Sequence, residues 1–213
     1  MGGREQTRPM PPIRMLLFDL AGVLLDFGGV ESVYELSQGH IREEAFSRFW
    51  DSSPWADRLY RGLCSPEAFA AGAVLELSLP VSSATFLAAF ERWLRGPYPG
   101  AFELLRALRP RYRVACLSNT NVLDVRRFRD ELRLDREFDH CFFSNEIGLR
   151  KPDAACYRHV IEALGCRPAE IAFFDDSAAC VAGALSSGLR AHRCAGIAAL
   201  QATLRDLAIG AAG

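Results

Sequence analysis

The chain has 213 residues, half of them hydrophobic, enough for one sizeable core and a smaller appended unit. Its 25 basic and 26 acidic side chains give a formal net charge of −1, and the arginines are too scattered to form the basic stripe that nucleic acid demands. No apolar run reaches membrane-spanning length, the seven cysteines form no C-x-x-C pair, and the four histidines lack metal-ligand spacing. The chain therefore reads as a cytoplasmic protein with reduced cysteines and no nucleic-acid or membrane partner; its oligomeric state is left open.

Taken in order, residues 1–12 are Gly- and Pro-rich, end in Pro11-Pro12 and read as a disordered leader. Residues 15–18 form an apolar run that stops at Asp19, with Gly22 allowing a sharp turn just beyond. Residues 27–96 change texture. Phe46, Phe49 and Trp50, then Phe69, Val74 and Leu77, then Phe86, Phe90, Trp93 and Leu94 recur with helical spacing, and no strand is expected among them. Gly28-Gly29 opens this segment and the Gly- and Pro-rich stretch 96–100 closes it, so it reads as a small helical insert able to act as a lid.

Beyond the insert, a helix at 102–108 precedes the apolar run 114–117, which ends in Ser118-Asn119. A helix at 122–132, an apolar run at 138–143, a helix at 153–164 and a third strand-like run at 171–174, ending in Asp175-Asp176, follow. An amphipathic helix carrying Ile197, Leu200, Leu204 and Leu207 closes the chain. Alternating buried strands and helices predict an α/β fold: a Rossmann-like parallel sheet with helices on both faces, built from 13–26 and 97–213, plus the helical insert at 27–96. In such a sheet ligands sit beyond the carboxyl ends of the strands, where all three polar clusters fall.

The chemistry is concentrated in those clusters. Asp19 suits a nucleophile for phosphoryl transfer, or a residue capping a turn. Asp175-Asp176 would repel Asp19 unless a cation intervened, and oxygen-only ligands favour magnesium; capping by this stretch is the other reading. Ser118, Asn119 and Thr120 offer a cradle for anionic oxygens or a plain helix cap. Lys151 is the only lysine beside 24 arginines, a compact ammonium suited to a crowded polyanionic site. Trp55, Arg58 and Tyr60 are candidates to face the crevice from the lid, with packing inside the lid the favoured alternative, and Asp26 at the hinge reads as a solvated residue ahead of a substitute base.

In order, Asp19 with Gly22, Ser118-Asn119, Lys151-Pro152 and Asp175-Asp176 resemble the four motifs of the haloacid dehalogenase-like hydrolases, from about residue 13 to 192. Leu-Ser-Asn-Thr-Asn, Arg-Lys-Pro-Asp and Phe-Phe-Asp-Asp-Ser look most like the α-glucose-1-phosphate phosphatase group and the phosphatase domain of soluble epoxide hydrolases. The resemblance implies a nucleophilic Asp19 and a charge-neutralising Lys151. It also implies phosphoryl binding by Ser118, Asn119 and Lys151, and Mg²⁺ held by Asp19, the Ala21 carbonyl and Asp176. The implied substrate is a small phosphorylated metabolite, such as a sugar phosphate with a good leaving group. Two positions depart from the family's pattern. Ala21 stands where these phosphatases usually carry an acid–base Asp, and Cys180 where relatives place an Asn or Asp near the metal. The alternatives are a metal-free 2-haloacid dehalogenase and a catalytically weak or silent relative that binds a phosphometabolite.

Overall fold

The computed structural model of the chain describes residues 11–210. The expected leader lies outside the described residues except for Pro11 and Pro12, which join no helix or strand. Strands β1 (Met15–Phe18) and β2 (Leu25–Phe27) lead into α1 (Gly29–Leu36), α2 (Glu43–Ser52), α3 (Pro54–Tyr60), α4 (Pro66–Glu76) and α5 (Ser83–Phe90). The chain continues through β3 (Leu94–Pro97), α6 (Ala101–Leu108), β4 (Arg113–Ser118), α7 (Val122–Asp130), α8 (Leu134–Glu137), β5 (His140–Phe143) and α9 (Ser144–Ile147). It ends with α10 (Ala154–Leu164), a 3-10 turn (Pro168–Glu170), β6 (Ile171–Asp175), α11 (Ala178–Ser186), β7 (Arg190–Arg193) and α12 (Gly196–Asp206).

Five strands pair in parallel in the order β5-β4-β1-β6-β7, giving the expected Rossmann-like α/β sheet. The twofold alternation of a strand explains why both faces are covered. Leu16 and Phe18 pack with Val114, Cys116 and Phe174 against α6, α7 and α12, while Met15 and Leu17 pack with Ala115, Leu117 and Phe173 against α10 and α11. Phe18 and Phe174 stack with centroids 5.2 Å apart on neighbouring strands. Each such fully buried side chain contributes roughly 1.5–3 kcal/mol. Strand order reverses around β1, with β4 on one side and β6 on the other, which opens a crevice at their carboxyl ends.

The insert's five helices enclose their own apolar cluster, centred on Val33, Phe46, Phe49, Phe69, Phe86 and Trp93. Ser53, Ser65 and Ser82 cap α3, α4 and α5 with side-chain acceptors, and Pro54 and Pro66 occupy first helical positions where no donor is lost. Contrary to expectation, strands enter this segment: β2 and β3 form an antiparallel ribbon that pairs Asp26 with Gly96 and Phe27 with Leu94. Two chain crossings side by side satisfy each other's main-chain groups, so pairing overrides a composition that reads as loop. Strand β7 was also unexpected, because Arg-Ala-His-Arg carries one apolar residue; as an edge strand it needs only Ala191 buried.

Candidate active site

The register that pairs Phe18 with both Cys116 and Phe174 sets Asp19 and Asp175 level with one another at the switch point. Lys151 reaches between them from the loop before α10. Its Nζ lies 2.8 Å from Asp19 Oδ1 and 2.7 Å from Asp175 Oδ2, with only 2% of the lysine side chain exposed. Burial alone would pull the ammonium down, but Asp175 and Asp19 more than offset it and hold its pKa well above the ordinary value. Asp175 is fully enclosed, and its other oxygen accepts the Ser177 N–H at 2.8 Å.

Asp19 Oδ1 also accepts the Leu20 N–H at 2.8 Å, so the recorded contacts of this carboxylate fall on one oxygen and leave Oδ2 for a ligand. Burial pushes its carboxyl up to about 7. Lys151 opposes that rise, and Asp175 and Asp176 add to it. Asp176 is likewise raised, by burial and then by Asp175. One oxygen from each of Asp19, Asp175 and Asp176 lies within 4.8 Å of the others. With all three carboxylates ionised, one ammonium leaves two uncompensated negative charges, a hard-oxygen set that fits a divalent cation such as magnesium. Gly22 lets Asp176 approach: at φ +81° its backbone is left-handed, and a Cβ there would fall 2.5 Å from Asp176 Oδ2.

Ser118 ends β4, buried beside this group. The helix-capping reading of Ser118 and Asn119 falls away, because Asn121 caps α7 by accepting from Leu123 and Asp124. Asn119 instead grips the main chain of Lys151: its Oδ1 accepts the Lys151 N–H at 2.8 Å and its Nδ2 donates to the Lys151 carbonyl at 2.8 Å. One Nδ2 hydrogen remains for a ligand, so any part in substrate binding is additional to this clamp. Ala21 offers no side-chain oxygen, and its loop position is fixed by a bridge to Leu25. Cys180 is buried, its thiol pushed up to about 12 by burial and so held neutral, with no oxygen to support a cation.

The insert residues divide. Trp55 packs against α4, where a Cβ on Gly72 would fall 2.2 Å from its ring, with Arg58 5.4 Å over it. Tyr60 is the inward one: burial pushes its hydroxyl pKa up, and Arg150, Asp124, Asp19 and Lys151 all act on it electrostatically. Asp26 pairs loosely with Arg95 at 3.7 Å in the hinge ribbon. Asp175 was expected beside Asp19 with Asp176, but its part as the buried partner of Lys151 was not. Arg150, which was given no role, spans insert and sheet; a signal was available in the lone lysine's need for two anionic neighbours and in the arginine directly before it.

Fold and site together define a hydrolase built on a doubly covered parallel sheet. The chain belongs to the haloacid dehalogenase-like hydrolases, whose family model matches residues 13–188. Among curated proteins it is 29% identical over 188 residues to acyl-CoA dehydrogenase family member 10 of Mus musculus, covering 83% of this chain. It is 36% identical over 97 residues to phosphatase MT3486 of Mycobacterium tuberculosis, covering 45% of this chain. It spans 17% and 45% of the length of those relatives, respectively. A predicted hydrolase of this family from Porphyromonas gingivalis superposes with TM-score 0.72 at 26% identity, over 92% of this chain and 98% of that one. A Bacteroides thetaiotaomicron family enzyme in complex with magnesium and inorganic phosphate gives 0.68 at 26%, over 85% and 94%. The L-2-haloacid dehalogenase of Xanthobacter autotrophicus gives 0.59 at 26%, over 85% and 77%. Among the described residues no helix is long and apolar enough to cross a membrane.

Proposed function

We propose that the chain is a magnesium-dependent phosphomonoester hydrolase acting on a small phosphorylated metabolite through an aspartyl phosphate on Asp19. The observation that carries this reading is the carboxylate trio at the switch point with a single buried lysine for compensation, a site short of positive charge by two. The neighbour complexed with magnesium and phosphate and the relative named a phosphatase support it. When bound, a divalent ion held by Asp19, Asp176 and the Ala21 carbonyl supplies the missing charge and polarises phosphoryl oxygens.

Asp19 Oδ2 attacks phosphorus, the phosphorus–oxygen bond to the leaving group breaks, and the phosphoryl group resides on Asp19. Water then attacks the same phosphorus, returning Asp19 as a carboxylate and releasing inorganic phosphate. Lys151 balances charge on Asp19 throughout, while Ser118 and the remaining Asn119 hydrogen take phosphoryl oxygens. With Ala at position 21, no carboxyl there protonates the leaving oxygen, which favours an anomeric, acyl or aryl phosphate over an alkyl one. The test is turnover of p-nitrophenyl phosphate. It is expected with magnesium and absent with excess chelator or in Asp19→Asn; turnover that survives either change overturns the reading.

The dehalogenase neighbour and Ala21 favour a second reading, displacement of halide from a 2-haloacid. The surplus negative charge at Asp175 and Asp176 opposes an anionic substrate and a departing halide. Chloride release from 2-chloropropionate in excess chelator would decide for it.

A further inference from the structure

Arg150 and Lys151 are consecutive, yet their side chains serve different bodies. Lys151 points into the sheet, to Asp19 and Asp175. Arg150 points into the insert: its Nη2 donates to the Trp50 carbonyl in α2 at 3.1 Å, its Nη1 lies 3.5 Å from Asp57 in α3, and its guanidinium stands 5.3 Å over the Tyr60 ring. Its Nε turns back and donates to the Lys151 carbonyl at 3.3 Å, the same oxygen that accepts from Asn119.

Only 8% of Arg150 is exposed, and a guanidinium so enclosed must find partners. Among the described residues its carboxylate neighbour is Asp57, at 3.5 Å and already engaged by Arg61 at 2.9 Å. Arg150 is therefore held by several modest contacts to the insert, all of which depend on the insert resting on the sheet. Withdrawing α2 and α3 removes the Trp50 carbonyl, Asp57 and the Tyr60 face together and leaves only the contact to Lys151. Once the insert withdraws, the guanidinium is hydrated and no longer anchored at its far end, so its hold on the Lys151 carbonyl is lost to side-chain freedom.

We propose that Arg150 is a positioning residue that makes the placement of Lys151 conditional on lid closure. The inference rests on the phosphatase reading for its consequence in turnover, but not for the coupling itself. Arg61 supplies the contrast. It also ties α3 to the sheet, through Asp153 at 2.5 Å and the Gly148 carbonyl at 3.2 Å, without touching Lys151.

The chain's single lysine makes the coupling directly visible. Labelled with ¹⁵N at lysine Nζ, the 213-residue chain gives one lysine side-chain resonance, that of Lys151. Arg150→Met should move it towards the position of free lysine, Arg150→Lys should move it less, and Arg61→Ala should leave it in place. Asp57→Ala, which alters a contact of Arg150 on the insert without adjoining Lys151, should shift it in the same direction as Arg150→Met and by less. A resonance unmoved in Arg150→Met overturns the proposal, and one moved by Arg150→Met but not by Asp57→Ala shows a loop contact without lid coupling and overturns it too. With p-nitrophenyl phosphate, Arg150→Met is expected to lower kcat at least tenfold with KM within about twofold, and Arg61→Ala to affect KM more than kcat. Equal kcat losses in both would reduce Arg150 to a clamp. Absence of turnover in the wild type sinks the phosphatase reading and leaves the resonance experiment intact.

Discussion

Asn119 and Lys151 close a ring across 32 residues of sequence, the asparagine amide accepting from and donating to the two main-chain groups of the lysine, each at 2.8 Å. The clamp fixes the loop from which Nζ reaches Asp19 and Asp175. Asn119→Asp keeps the acceptor but sets a carboxylate oxygen against the Lys151 carbonyl, in a site already rich in negative charge. Loss of one hydrogen bond plus that repulsion costs about 2–3 kcal/mol, so turnover of p-nitrophenyl phosphate should fall roughly 10²-fold. Asn119→Ser should fall less. A larger loss in Asn119→Ser than in Asn119→Asp would contradict the clamp.

Gly22 is the second lever, because its absent side chain is what lets Asp176 approach. Gly22→Ala meets a left-handed backbone and a carboxylate oxygen at 2.5 Å at once. The backbone alone costs about 1–2 kcal/mol, and Asp176 must retreat from Asp19. Stability measured by urea unfolding should drop by about 1–3 kcal/mol, and the magnesium concentration for half-maximal activity should rise about tenfold or more. An unchanged magnesium requirement would mean that Asp176 is not positioned by this contact.

Physical causes separate what could be read from the sequence and what could not. Strands β1, β4 and β6 were visible because strands covered on both faces need unbroken apolar runs, and each run stops where the sheet meets the crevice. Asp19, Ser118 and Asp175 sit at those stops, so their meeting place followed from topology. The β2–β3 ribbon was hidden because its stability comes from pairing residues about 70 positions apart, which no local pattern records. Edge strand β7 was hidden because exposure on one side frees it from apolar residues. The Asn119 clamp and the Arg150 span depend on which loops lie side by side, a tertiary fact.

The carboxylates make stability depend on pH in a direction opposite to the usual acid behaviour. Asp19 titrates at about 7 in the fold against an ordinary 3.8, raised chiefly by burial, and Asp176 is raised as well. A group whose folded pKa is raised is protonated preferentially in the folded state, so its contribution is greatest at low pH and is lost as pH climbs from about 4 to about 7. Each unit in that window is worth at most about 1.4 kcal/mol per proton. In chelator, the Tm of the wild type relative to Asp19→Asn should therefore decline from pH 4.5 to 7.5. Saturating magnesium, which favours the ionised carboxylates, should flatten the decline. A difference that grows with pH in chelator would show that Asp19 is not desolvated as described.

Position 21 gives the sharpest test of the chemistry. Ala21 lies two residues beyond Asp19 in the loop closed by its bridge to Leu25, so a carboxyl introduced there stands at the reacting end of the crevice. General acid assistance is typically worth ~10²–10⁴-fold, and its benefit grows as the leaving oxygen becomes more basic. Ala21→Asp should accordingly raise turnover of glucose 6-phosphate, an alkyl ester, by about 10²-fold. Turnover of p-nitrophenyl phosphate, whose leaving group departs readily as an anion, should change only a few-fold. Steady-state kcat/KM for the two substrates in both proteins measures this directly. Equal gains would mean that the missing carboxyl limits something other than leaving-group protonation, and no gain with either would place position 21 out of reach of the leaving oxygen.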